Sequence, residues 1–300
     1  MQKRYIVIGA VVVTVLMVLL VASIQIARFL LGEEATAGSS EGVGYVEVKG
    51  PILDAEDTVK QLNDMRKRTN VKAVVLRIDS PGGVIGPSQE IYDAVKKLAK
   101  TKKVVVSMGS VAASGGYHIA IPAAVIYANP GTVTGSIGVI MKLSNIEGLM
   151  DKVGMKAFSL KSGKFKDTGS PIRPFTEEDR VVLQGVIDNL HAQFVKVVAA
   201  ERKLPLEEVI KIADGRVYTG EQALSLKLID RLGTLQDAVE EAGRLAGIKG
   251  EPKLIEPPRK RRLLRDLLVG ELAGILGEAI RKDGGFSMNY ELDGVGGVRP

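Results

Sequence analysis

Two β-branched runs, Lys72 to Ile78 and Val104 to Met108, each end in a glycine-rich turn, and helical stretches separate them. A run dominated by Val, Leu and Ile fits a strand buried on both faces, as in a parallel sheet. Parallel neighbours need a crossover between them, usually a helix. Asp57 to Arg68 and Ser88 to Lys100 have the spacing to supply it. Gly44 to Val48, Val125 to Tyr127 and Gly135 to Met141 add strands, and a short helix starts at about Ser114. The expected fold is α/β, made of stacked βα units. Glu177 to Arg202 is the longest soluble helix, with Leu183, Val186, Ile187, Leu190, Phe194, Val197 and Val198 along one face. Leu206 to Ala213 and Leu235 to Ala246 give two shorter helices, and there is no internal repeat.

The 300 residues suffice for one large α/β domain plus an anchor. Tyr5 to Ala27 contains no charged side chain. At about 1.5 Å rise per residue it matches a hydrocarbon core of roughly 30 Å, so a transmembrane helix is expected there. A removable leader has an apolar region of only about 7–15 residues. Ala35-Thr36-Ala37 nevertheless resembles a cleavage site, which leaves cleavage open. Lys3 and Arg4 precede the span; Arg28 follows it, with Glu33 and Glu34 close behind. That bias favours a cytoplasmic N-terminus and the bulk of the chain outside the cytoplasm. The expected organisation is an anchor over residues 1–31, a linker over 32–42, an α/β domain over 43–250, and a tail over 251–300. In the tail, Pro252 to Pro258 reads as a linker, Leu263 to Ile280 as an amphipathic helix, and Gly284 to Pro300 as flexible.

Composition narrows the chemistry. With no cysteine, the chain has no disulfide, thiolate metal site or cysteine nucleophile. Its two histidines, His118 and His191, are too few for a histidine-rich metal centre, and no cofactor is called for. The net charge of +6 is mild, and part of it sits in Arg259, Lys260, Arg261, Arg262 and Arg265. No aromatics interleave that cluster, so it reads as a solvated basic face near a membrane, and no nucleic acid is expected.

The two turns, Asp79-Ser80-Pro81-Gly82-Gly83 and Gly109-Ser110-Val111-Ala112-Ala113-Ser114-Gly115-Gly116, both follow buried strands. In open α/β sheets the crevice at the carboxyl ends of the strands is where ligands bind. Small residues around Ser114 let backbone and substrate approach closely. A serine opening a helix also gains from the helix dipole, and the amides of Gly83 and Gly115 are natural oxyanion donors. Small-Ser-Gly-Gly turns also serve capping and close packing, so the pattern alone does not settle a nucleophile. Neither turn has P-loop spacing. A serine nucleophile needs a base. His118 lies four residues along the same short helix, where in-line geometry is hard to reach, and His191 sits beside an apolar face. A desolvated lysine is the other option. Lys161, Lys164 and Lys166 lie in one polar loop, Lys161-Ser162-Gly163-Lys164-Phe165-Lys166-Asp167, which composition alone reads as a solvated turn.

The segment from Ser107 to Tyr117 resembles the nucleophile region of the signal peptide peptidase A family, in its short single-repeat form. Asp79 to Gly83 resembles its upstream glycine loop, and Thr132-Val133-Thr134-Gly135-Ser136-Ile137-Gly138-Val139 a third motif. Ser162 to Asp167 resembles the region of its lysine base, and Gly215 to Gly220 with Ile229 to Gly233 its downstream signature. The resemblance covers roughly residues 44–247 and the anchor topology. It implies a fold like that of the Clp protease and crotonase superfamily, preceded by one transmembrane helix. It also implies a Ser-Lys dyad: Ser114 as nucleophile, Lys166 as general base, Ser136 holding Lys166, and Gly83 and Gly115 as oxyanion donors. The family pattern further implies a ring-like homo-oligomer with the dyad completed across a subunit boundary. Lys227 departs from the family, which has a small residue before Leu228. The expected substrates are apolar peptides such as remnant signal peptides, and the expected location is the cell membrane. A stomatin-partner type of membrane protease, a crotonase-class acyl-CoA enzyme and a non-catalytic scaffold are the alternatives.

Overall fold

The computed structural model describes residues 14–23, 41–257 and 288–291. The chain forms two compact units, Met1–Ser40 and Glu41–Pro300. The described part of the first is a helix, α1, over residues 14–23, with exposed apolar side chains from Val15 to Val21. Among the described residues no helix is long and apolar enough to cross a membrane. The rest of the expected Tyr5 to Ala27 span lies outside the described residues, as do the basic cluster and the Leu263 to Ile280 helix.

The second unit is built on a twisted sheet. Strands β1 (Gly42–Lys49), β2 (Val71–Ser80), β4 (Lys103–Ala113), β5 (Val125–Ala128) and β9 (Arg231–Leu232) lie side by side, all parallel, with β10 (Leu254–Ile255) on the outer edge of β1. Helices α2 (Glu56–Lys67) and α3 (Ile85–Ala99) make the first crossovers. The strands alternate side chains between two faces, and both faces are apolar. Val46, Val74, Leu76, Ile78, Val104, Val106 and Met108 share one core with α2, α3 and α4 (Gly115–Ala120). Val43, Ala73, Val75, Val105 and Tyr127 share another with α9 (Leu235–Leu245). Burial on both faces is why these strands read as unbroken apolar runs. Small residues let α9 sit close: a Cβ at Gly243 would stand 2.7 Å from the Pro252 ring.

Three features differ from the sequence reading. First, β4 does not stop at Gly109. Its far half pairs with β6 (Val133–Gly135), which pairs antiparallel with β8 (Val217–Thr219). Second, the run expected over Gly135 to Met141 is broken, with β6 ending at Gly135 and β7 covering Ile140–Met141. Gly135 (φ +78°) and Ser136 (φ +50°) turn the chain there. Third, the stretch read as a linker from Pro252 carries β10. Helix α6 (Glu177–Arg202) runs over the expected residues. Its start is set by a reciprocal capping box between Thr176 and Asp179. Helices α5 (Glu147–Lys152), α7 (Leu206–Ile212) and α8 (Gly220–Ser225) complete the unit.

Candidate active site

Ser114 stands where β4 gives way to α4, at φ 53° and ψ −116°, a conformation L-residues rarely occupy. Holding it costs about 1–3 kcal/mol, which neighbouring contacts must offset. The Ser114 amide donates to the Gly135 carbonyl at 2.8 Å, and the His118 amide donates to the Ser114 carbonyl at 2.8 Å. Ser114 is 1% exposed, and its Oγ has no hydrogen-bond partner among the described residues. A buried hydroxyl left unpaired costs about 1–3 kcal/mol. Ser114 thus combines a strained backbone with, among the described residues, an unpartnered buried hydroxyl.

The segment before Ser114 is pinned by distant partners. Asp79 Oδ1 accepts from the Val111 amide at 3.1 Å. Thr132 donates to the Gly109 carbonyl at 2.7 Å, and Thr134 donates to the Ala112 carbonyl at 2.6 Å. Both threonines are buried. The motif around Ser136 thus fixes the backbone leading to Ser114, a role the sequence reading did not give it. Gly109 has to be glycine, since a Cβ would lie 2.7 Å from Asp79 Cγ.

The two predicted oxyanion glycines meet. A Cβ on Gly115 would stand 2.6 Å from Ser88 Oγ and 3.2 Å from the Gly83 nitrogen. Gly83 lies on β3 (Gly82–Val84), backed by Ile52, whose nitrogen a Cβ there would meet at 2.6 Å. The backbones of Gly83 and Gly115 therefore lie close together, with Gly115 directly after Ser114.

The histidines are engaged elsewhere. His118 is buried, its ring 4.9 Å from that of Tyr92 and 5.0 Å from that of Phe194. Burial holds its imidazole down to about 4, offset in part by a hydrogen bond to the Ser88 backbone. His191 Nε2 donates to the Ala213 carbonyl at 2.7 Å. Among the described residues no group of His, Cys, Asp and Glu could hold a metal ion.

Lys166 lies in an exposed turn, its amide donating to the Gly163 carbonyl at 3.2 Å. Among the described residues no hydrogen bond joins it to Ser114 or to Ser136, which is buried with its amide donating to the Arg216 carbonyl at 2.9 Å. The structure brings Ser114, Gly115, Gly83 and Ser136 together and leaves Lys166 apart from their hydrogen-bond network. It adds Arg173, which the sequence reading missed. Its guanidinium bridges Asp167, beside Lys166, and Asp179, in the first turn of α6. The Thr176-x-x-Asp179 spacing was the available signal for that anchor.

A second, three-stranded sheet crosses this place. Strand β11 (Met288–Glu291) pairs antiparallel with β3, Tyr290 opposite Gly83, and antiparallel with β7, Met288 opposite Met141. A stretch of extended backbone from the chain's own tail thus lies along the oxyanion strand.

The model for peptidase family S49 matches residues 96–249, and that for the Clp protease family matches residues 46–128. A Synechocystis protein named as a protease is 45% identical over 234 residues, covering 76% of this chain and 83% of its own length. A protein of the same naming from Methanocaldococcus jannaschii is 36% identical, covering 85% of this chain and 86% of its own length. A protein from Enterococcus faecium named as a signal peptide peptidase is 37% identical, covering 67% of this chain and 57% of its own length. These matches, over the stretch that carries the strained serine and the glycines beside it, make the chain a serine peptidase of family S49, of the signal peptide peptidase A type.

Proposed function

We propose that the protein is a membrane-anchored endopeptidase that uses a Ser-Lys dyad to degrade apolar peptides such as cleaved signal peptides. Ser114 Oγ attacks the scissile carbonyl, and neutral Lys166 takes its proton, held in place by Ser136. The amides of Gly83 and Gly115 stabilise the oxyanion, the protonated lysine returns its proton to the leaving amine, and water then hydrolyses the acyl-enzyme. The observation that carries this reading is Ser114 itself, strained, buried and with its hydroxyl unpaired at the mouth of α4.

The pairing of β11 with β3 and β7 supports a peptide substrate. The edge that accepts this strand accepts an extended chain through main-chain hydrogen bonds, which is how β-strand addition recognises peptides. Lys166 is proposed to reach Ser114 across a subunit boundary in a ring-like homo-oligomer. Exposed apolar side chains at Leu149, Val153, Met155, Phe158 and Leu160 suit contact with a second copy. The Tyr5 to Ala27 span is proposed to place the catalytic unit at the outer face of the cell membrane.

The test is peptidase activity on an apolar fluorogenic peptide, comparing wild type with Ser114→Ala, Lys166→Ala and His191→Ala, each checked for folding and assembly. Activity is expected to vanish in the first two, stay near normal in the third, and rise toward alkaline pH in wild type. Full activity in Lys166→Ala removes the assigned base. Full activity in Ser114→Ala removes the whole site.

A further inference from the structure

Among the described residues, every charged side chain between 161 and 180 except Lys166 is held in an ion pair. Lys161 meets Asp167 at 2.7 Å, Lys164 meets Glu178 at 2.6 Å, and Arg180 meets Glu177 at 3.2 Å. Arg173 links the two ends of the segment. Its Nε and one terminal nitrogen each donate to the Asp167 carboxylate at 3.0 Å, and that terminal nitrogen also donates to the Asp167 carbonyl at 3.1 Å. Its two terminal nitrogens donate to Asp179 at 2.6 and 2.9 Å. A planar guanidinium can hold two carboxylates in one fork, whereas an ammonium is a point charge on a flexible stem.

The α6 end of this clamp is firm. Asp179 is 2% exposed and caps the helix together with Thr176. At the loop end residues 156–166 are exposed throughout, and the solvent-facing Lys164–Glu178 pair is a second tie to the start of α6. Hydrogen bonding to Arg173 first, and to Lys161 second, holds the Asp167 carboxyl down to about 2, so it stays ionised at any working pH. A released Asp167 would be an adjacent, fully charged partner for Lys166, and a lysine in an ion pair keeps its proton.

We propose that Arg173 is the positioning residue of the base-bearing loop: it bolts Asp167 to the first turn of α6, fixes the backbone beside Lys166, and keeps the Asp167 carboxylate away from it. This rests on Lys166 being the base. The charges paired with Asp167 are Lys161 and Arg173 from its own loop; from α6, Asp179 shares Arg173 and Glu178 pairs with Lys164.

The experiment is steady-state kinetics on the full chain across neutral and alkaline pH, for Arg173→Gln, Arg173→Lys, Asp167→Asn and Arg173→Gln with Asp167→Asn. Arg173→Gln is expected to lower kcat about 100-fold with little change in KM, the size expected for a misplaced catalytic group. Its rate–pH curve is expected to move to higher pH. Arg173→Lys recovers part of kcat and keeps the wild-type curve. Adding Asp167→Asn to Arg173→Gln returns the curve to the wild-type position without restoring kcat. Wild-type kcat and an unmoved curve in folded Arg173→Gln would overturn the proposal, as would equal losses in Arg173→Gln and Arg173→Lys with the curve unmoved. If Arg173→Gln does not fold, Asp167→Asn alone decides: a lowered kcat upholds the clamp and a wild-type kcat ends it. Lys166→Ala with full activity is a different result, because it removes the base and not only its mount.

Discussion

His118 is the base that proximity in sequence suggests, and its surroundings make it a poor one. Burial of the ring between Tyr92 and Phe194 disfavours a positive charge, so it stays neutral well below its ordinary range near 6.5. The same fact makes it a pH-dependent element of stability. Between about 6.5 and about 4 the unfolded chain binds a proton at His118 and the folded chain does not. Stability therefore rises with pH through that window and is lost as pH falls, by roughly 3 kcal/mol at most from this one group. His118→Phe keeps an aromatic ring between Tyr92 and Phe194 and cannot take up the proton. Melting temperatures measured from neutral pH down to about 4 should fall more steeply in wild type than in the variant. Parallel curves would mean that His118 is solvated in the folded state.

At the scale of elements, what the sequence made legible was whatever carries its own period. The apolar runs of β2 and the start of β4 are buried on both faces and show it, and α6 shows both its stripe and its cap. The rest was hidden because its causes are distant in sequence. Strand β4 passes through Gly109 because Asp79, Thr132 and Thr134 satisfy its backbone, and none of these is a local signal. Of the candidate site, the turns drew attention to Ser114, Gly83 and Gly115, while their proposed roles came from the family resemblance. Arg173 could not be found that way, because only the fold turns its side chain toward Asp167 and Asp179 together. Strand β11 is the extreme case: four residues, far along the chain, pair with β3 and β7. If they lie where an extended substrate lies, truncation after residue 287 should leave the fold intact, lower KM for a peptide and leave kcat nearly unchanged. Asn289→Pro, which removes a strand amide, should act in the same direction. An unchanged KM would place substrate elsewhere, and loss of the native circular dichroism would make β11 a structural strand.

For the whole molecule, the separation of Ser114 from Lys166 is the decisive feature. One chain presents a buried, unpaired hydroxyl and, outside its hydrogen-bond network, an exposed lysine on a loop whose other charges are all matched. Along the same stretch, Phe158 is 85% and Leu160 99% exposed, more apolar surface than an isolated subunit keeps in water without cost. Both facts fit the proposed assembly, in which the stretch packs on a second copy and Lys166 reaches that copy's Ser114. Rings of this kind arise from head-to-tail contacts in which each subunit uses two different surfaces. Complementation tests this directly. Ser114→Ala and Lys166→Ala subunits are each expected to be inactive alone. Mixed by denaturation and refolding in equal amounts, they should regain activity at roughly a quarter of the sites, since a working site needs an intact serine and an intact lysine from chosen neighbours. If both residues of a dyad came from one chain, no arrangement of these two variants could create a working site, and the mixture would stay inactive. Exchanging Phe158 and Leu160 for serine should remove activity and assembly together while leaving the sheet folded, because those side chains touch little within their own subunit.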